Sequence, residues 1–88
     1  MSSAADDLVG VVRLLVERPG AVRAEEQSAK PASSTEAGTN AELVLSVDPA
    51  DRGQVIGRRG RTVDALRALA RYRGALEGRE LGLELVDD

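Results

Sequence analysis

The sequence has no cysteine and no histidine. Without Cys there is no disulfide framework and no thiolate metal centre. Without His there is no imidazole for acid–base work near neutral pH, and only carboxylates are left to hold a metal. The only aromatic residue is Tyr72, with no Phe or Trp beside it. One ring cannot build the stacking platforms on which many single-strand nucleic-acid modules rest their bases. No apolar run approaches the ~18 residues of a membrane span, so no membrane partner is expected. Asp6 and Asp7 stand where a secretory signal carries base, which predicts a cytoplasmic chain. Nothing in this inventory calls for a cofactor or an enzymatic reaction.

What is present fits one small folded domain over residues 1–88. Hydrophobic residues make up 42% and charged residues 31% of the 88 positions, a globular rather than a disordered balance. Such a chain buries roughly 60% of its unfolded surface and no more. The net charge is −3, yet it is unevenly spread. Between residues 52 and 73 stand seven arginines (Arg52, Arg58, Arg59, Arg61, Arg67, Arg71, Arg73) against Asp64 alone. That is +6 in one segment and −9 over the rest. A basic segment on an acidic body is a footprint for a polyanion; the blander reading is a solvated helix face.

In chain order, Ser3 and Asp6 occupy capping-box positions before a helical stripe of Leu8, Val11, Val12 and Leu15, widened by Leu14 and Val16. Pro19-Gly20 is expected to stop that helix. Ala21 to Gln27 reads as an edge strand, and 28–40, rich in Ser, Ala, Thr and Gly, as a flexible inserted loop. Glu42 to Asp48 alternates with period two, placing Leu43, Leu45 and Val47 on one face. Pro49 opens a short helix over Ala50 to Ile56. A longer helix runs from Thr62 to Glu77 with Val63, Leu66, Leu69, Ala70 and Leu76 as its buried stripe. Arg67 and Arg71 fall on another face and read as solvated, and Tyr72 reads as a packing residue. Gly74 costs the helix about 1 kcal/mol relative to Ala, and Gly78 is its stop. Leu81, Leu83 and Leu85 mark a last strand. The order is α-β-β-α-α-β. A right-handed crossover makes the last two strands parallel, and the first two pair antiparallel across the loop. The expected fold is α+β, a three-stranded mixed sheet with three helices on one face.

Between the two later helices lies Val55-Ile56-Gly57-Arg58-Arg59-Gly60-Arg61. Two glycines three apart let the backbone turn sharply and let a ligand approach its N–H groups. Three arginines set fixed positive charge beside a helix start, where phosphate is the natural ligand. A bare G-x-x-G arises by chance about once in a chain with this much Gly, so its surroundings must carry the argument.

Those surroundings are Val47-Asp48-Pro49, Gln54-Val55-Ile56 before the loop, Arg61-Thr62 and Ala65-Leu66-Arg67 after it, and a last strand ending Leu85-Val86-Asp87. Together they resemble the I-G-x-x-G core of KH RNA-binding domains in the type II order, and more closely the small bacterial single-KH proteins of the KhpA (YlqC) family. The loop at 28–40 and Gly74 depart from that pattern. The resemblance implies single-stranded RNA, about four nucleotides, clamped at its backbone by the Gly loop. By position, Gly57 and Gly60 shape the loop, Arg58 and Arg59 face phosphate with Arg61 behind them, and Val55 and Ile56 line or support an apolar groove for bases. It also implies an RNA chaperone or post-transcriptional regulator that forms homodimers or pairs with a larger, multidomain KH protein of the KhpB kind.

Two readings of other classes stand beside this one. In an interaction module the chain mainly pairs with itself or another RNA-binding protein and binds RNA weakly alone. In a dinucleotide site, Gly53, Gly57 and Gly60 would form a Gly-rich turn. Their spacing is G-x-x-x-G-x-x-G after a helix rather than G-x-G-x-x-G after a strand, and there is no Walker lysine.

Overall fold

Ala41, Leu43 and Leu45 alternate with polar or half-exposed neighbours, and that period of two builds the central strand of the sheet, β2 (Asn40–Ser46). The computed structural model describes residues 3–28 and 40–86. On one side β2 pairs antiparallel with β1 (Arg23–Ser28), with Ala24 opposite Leu45 and Glu26 opposite Leu43. On the other side it pairs parallel with β3 (Glu80–Leu85), with Leu43 opposite Leu83. The sheet order is β1-β2-β3, as the crossover argument requires. The inserted loop predicted at 28–40 lies, but for its two ends, outside the described residues.

Three helices cover the face that carries Leu43, Leu45, Leu81 and Leu83: α1 (Ala4–Arg13), α2 (Arg52–Ile56) and α3 (Arg61–Leu76). The α+β expectation of three helices on a mixed three-stranded sheet is met. Ser3 caps α1 as predicted, with a reciprocal capping box to Asp6. The helix nonetheless ends at Arg13 rather than running on to Pro19. Its buried residues are Ala4, Leu8 and Val12; Val11 is 38% exposed and Leu14 lies in solvent. The cause is long-range, because the N–H groups of Glu17 and Arg18 donate to the carboxylate of Asp51 at 3.3 and 3.0 Å instead of continuing the helix. Arg18 also precedes Pro19, which disfavours helical backbone there. A short 3₁₀ turn at Pro19–Ala21 then delays β1 to Arg23.

The helix expected over Ala50 to Ile56 is two pieces, a 3₁₀ turn at Pro49–Asp51 and α2. In α3 the buried stripe is Val63, Leu66, Ala70 and Gly74. Leu69 and Leu76, predicted to be buried, are 46% and 65% exposed. Tyr72, predicted to pack, is exposed as well. Gly74 explains the choice of face. A Cβ there would lie 2.7 Å from the Arg79 carbonyl oxygen and 2.9 Å from the Leu81 nitrogen, both backbone atoms of the chain entering β3. The glycine lets α3 settle directly onto that strand. Gly78 then closes the helix in the left-handed region at φ 73°. The Arg79 N–H donates to the Gly74 carbonyl and the Gly78 N–H to that of Ala75, at 2.9 and 3.1 Å, which is a Schellman cap.

Candidate nucleic-acid interface

The loop between α2 and α3 is held from inside. Val55 is fully buried, and Ile56 is half-buried beside it. The Gly57 N–H closes α2 on the Gly53 carbonyl at 2.9 Å. Gly57 itself sits at φ 77°, ψ 172°, a region open essentially to glycine alone. A Cβ on it would fall 2.2 Å from Thr62 Oγ1. Gly60, at φ 73° and ψ 13°, is left-handed but a Cβ there would meet only Val63 Cγ1, at an ordinary 4.0 Å, and its N–H donates to the Gly57 carbonyl at 3.2 Å. Arg59 is also left-handed, at φ 57°. The chain therefore turns through three positive-φ residues in four and presents Arg58, Arg59 and Arg61 outward.

Those three side chains are exposed and make no ion pair or hydrogen bond among the described residues. No side chain caps the start of α3, and the first amide of the helix, that of Arg61, donates to the Arg58 carbonyl of the loop. The only acid of that turn, Asp64, is held by Arg67 at 3.0 Å. Three fixed positive charges thus stand together on one exposed turn at a helix start, an arrangement suited to phosphate.

Asp51 holds this assembly in place, and composition and spacing gave no sign of it. Its side chain is nearly fully buried, accepts the N–H groups of Glu17 and Arg18 in the segment after α1, and faces Arg18 Nη1 at 3.6 Å. Asp48 caps the turn just before it, accepting the Ala50 N–H at 2.9 Å. The segment leading into α2 and the loop is thereby tied to the α1–β1 connection.

Arg67 and Arg71, read from sequence as a solvated face, line an open groove of about 750 Å³ between α3 and β3. Its far wall is formed by Glu80 to Leu83 with Asn40 to Glu42. Gly60, Asp64, Arg67 and Arg71 follow one another at spacings of four, three and four, so they share one side of the helix, and the groove is lined from Arg67 onward. Among the predicted residues, the fold brings Ile56, Gly57, Arg58, Arg59, Gly60 and Arg61 together at the surface. Val55 it places in the core beneath them, where it can support a groove but not touch a ligand. Arg79, which also borders the groove, is engaged: it meets both carboxylate oxygens of Glu26 at 2.7 Å and Glu77 at 2.9 Å. The hydrogen bond to Arg79 holds the Glu26 carboxyl below its ordinary value of 4.5, and the same bond raises the Arg79 guanidinium further. Among the described residues no cluster of acids is arranged to hold a metal, and no helix is long and apolar enough to cross a membrane.

A parallel strand–helix–Gly loop–helix–strand unit, preceded by one helix and one antiparallel strand, defines a KH domain of the type II order. The profile of the KhpA/KhpB KH domain matches residues 5–84, and the chain belongs to that family, whose members are not enzymes. The RNA-binding protein KhpA of Leifsonia xyli subsp. xyli is 36% identical over 81 residues, 92% of this chain and 93% of that protein. The RNA-binding protein KhpA of Halalkalibacterium halodurans is 32% identical over 77 residues, covering 88% and 91%. That of Streptomyces coelicolor is 49% identical over a shorter stretch of 45 residues, 51% of this chain and 53% of its own.

Proposed function

We propose that this chain is a single KH domain over residues 1–88 that holds single-stranded RNA, about four nucleotides at a time. Gly57 and Gly60 shape the clamp, Arg58, Arg59 and Arg61 face the phosphates, Ile56 meets the bases and Val55 supports it from the core. The carrying observation is the set of three arginines, without an ion pair or hydrogen bond among the described residues, on an exposed Gly-bounded turn that leads into the helix bearing Arg67 and Arg71. The names of the relatives agree with this reading. In the cell the domain acts in the cytoplasm as an RNA chaperone or post-transcriptional regulator.

The test is to replace Arg58 and Arg59 together with Asp. Both side chains are exposed, so stability should change by no more than about 0.5 kcal/mol per site. Two attractive charges become repulsive where phosphate lies, and RNA binding should be lost with the circular dichroism unchanged. If the double variant binds with parental affinity, the loop is only a structural turn.

One observation also favours pairing. Leu69, Tyr72 and Leu76, at helical spacing on the outer face of α3, are all exposed. One short groove gives weak binding, and joining two domains raises apparent affinity through effective concentration. A homodimer, or a pair with a larger multidomain KH protein, is therefore part of the reading. Sedimentation at rising concentration should show self-association that Leu69→Glu with Leu76→Glu abolishes. A strict monomer that binds RNA tightly would exclude the homodimer.

A further inference from the structure

The period of two turns Leu43 and Leu45 of β2 and Leu81 and Leu83 of β3 toward the helices. The residues between them point to the opposite face of the sheet, which no described element covers. That face carries four carboxylates: Glu25 on β1, Glu42 on β2, and Glu80 and Glu84 on β3. Glu25 and Glu84 flank Val44 in one row across the three strands, and Glu42 stands beside Gly82, which adds no side chain. Strand spacing and rise put all four within an area of about 10 by 13 Å. Glu42 is half-buried and the others are exposed, and none makes a hydrogen bond or ion pair among the described residues. On the helix side, by contrast, Asp7 meets Arg73, Glu26 and Glu77 meet Arg79, and Asp64 meets Arg67. Arg23 shares the acidic face, but its guanidinium is engaged by the Gly20 carbonyl at 3.3 Å.

Like charges at neighbouring sheet positions repel, so this arrangement costs stability unless a cationic surface meets it. RNA has the wrong sign, and among the described residues no acids are gathered to hold a metal. A surface of opposite sign stands on the chain itself. It is the turn bearing Arg58, Arg59 and Arg61, exposed and without ion pairs among the described residues. Arginine forks match carboxylates in bidentate fashion. Within one molecule the turn belongs to the helix layer, with the sheet in between, so turn and face can meet only between copies. We propose that the arginine turn of one copy docks on the acidic sheet face of a second copy, head to tail. Such a contact is heterologous: each added copy leaves one turn and one face open, so association continues into short chains. It uses neither Leu69 nor Leu76 and is distinct from pairing through α3. RNA and the second copy compete for the same arginines, a consequence that rests on the RNA-binding reading above.

The experiment uses the full chain carrying Leu69→Gln and Leu76→Gln, which removes the apolar stripe of α3 without adding charge. Sedimentation at about 0.3 mM protein should show a weight-average mass of about twice the monomer's at about 20 mM salt, and monomer at about 300 mM, where charges are screened. In that background Arg58→Asp with Arg59→Asp removes the turn, and Glu25→Gln with Glu42→Gln and Glu84→Gln removes the face. Each variant alone should stay monomeric at low salt with the parental circular dichroism. An equal mixture of the two should associate again and stop at a pair, because only one turn and one matching face remain intact. Glu80→Gln with Glu84→Gln, both exposed, should weaken association severalfold and decides the matter if the triple variant does not fold. A parent that is monomeric at low salt, a face variant that associates like its parent, or a mixture that stays monomeric overturns the proposal. Excess oligouridine of about eight nucleotides should disperse the chains as it binds, and chains that persist with the strand bound overturn the shared turn. Failure of the strand to bind overturns the RNA-binding reading, while the salt and mixing results still decide the head-to-tail contact.

Discussion

A methyl group at Gly57 and one at Gly60 would meet very different surroundings, although the two glycines look equivalent in the sequence. At Gly57 the added Cβ falls 2.2 Å from Thr62 Oγ1, 2.6 Å from Thr62 Cβ and 2.8 Å from its backbone nitrogen, in a conformation that L residues scarcely adopt. At Gly60 the nearest atom is Val63 Cγ1 at 4.0 Å, and only the left-handed backbone penalises a side chain. Gly57→Ala should therefore cost more than about 2 kcal/mol and Gly60→Ala about 1 kcal/mol, read from urea midpoints. The reverse ranking would contradict the loop geometry. At this scale the sequence was legible in kind and not in degree. It showed that the loop must turn and that Arg58, Arg59 and Arg61 stand on it. The packing of Thr62 against Gly57, and the buried role of Asp51, depend on neighbours that only the folded chain brings together.

Among the elements, the strands were readable because their period of two leaves one face to bury. The helices were harder, since α3 carries two apolar stripes, Val63/Leu66/Ala70 and Leu69/Tyr72/Leu76. Periodicity cannot say which turns inward; Gly74 decides, by allowing the backbone of β3 to approach. The end of α1 was missed for a similar reason, because the carboxylate that takes up the Glu17 and Arg18 N–H groups, and so keeps the following segment out of the helix, is more than thirty residues distant. At the far end of the sheet, Arg79 joins the close of α3 to β1 through Glu77 and Glu26. Glu26 has a folded-state pKa lowered by the hydrogen bond from Arg79, so its contribution is complete above its ordinary value of 4.5 and is lost as pH falls below it. The Glu26 side chain remains 39% exposed, and solvent screens the pair accordingly. The thermal midpoint should decline as pH drops below 4.5, and Glu26→Gln should decline less steeply over that interval. Parallel curves for the two proteins would show that the clamp contributes nothing.

Across the whole molecule, charge is divided by position in the fold. The segment from Arg52 to Arg73 carries +6 and includes the loop and the helical wall of the groove, while the remaining −9 falls on the other segments. An anionic strand is thus drawn to one side of a protein whose net charge is −3. Attraction by a localised set of arginines should appear as counterion release. If Arg58, Arg59 and Arg61 each neutralise one phosphate, the slope of log K against log salt should be near −2, at about −0.7 per single-strand contact. The same measurement separates the loop from the groove. Arg67→Gln with Arg71→Gln should leave that slope unchanged if those side chains face bases, and should make it shallower by about 0.7 for each phosphate contact they supply. A parental slope near zero would mean that the arginines do not meet phosphate, and the polyanion footprint would then be only a solvated surface.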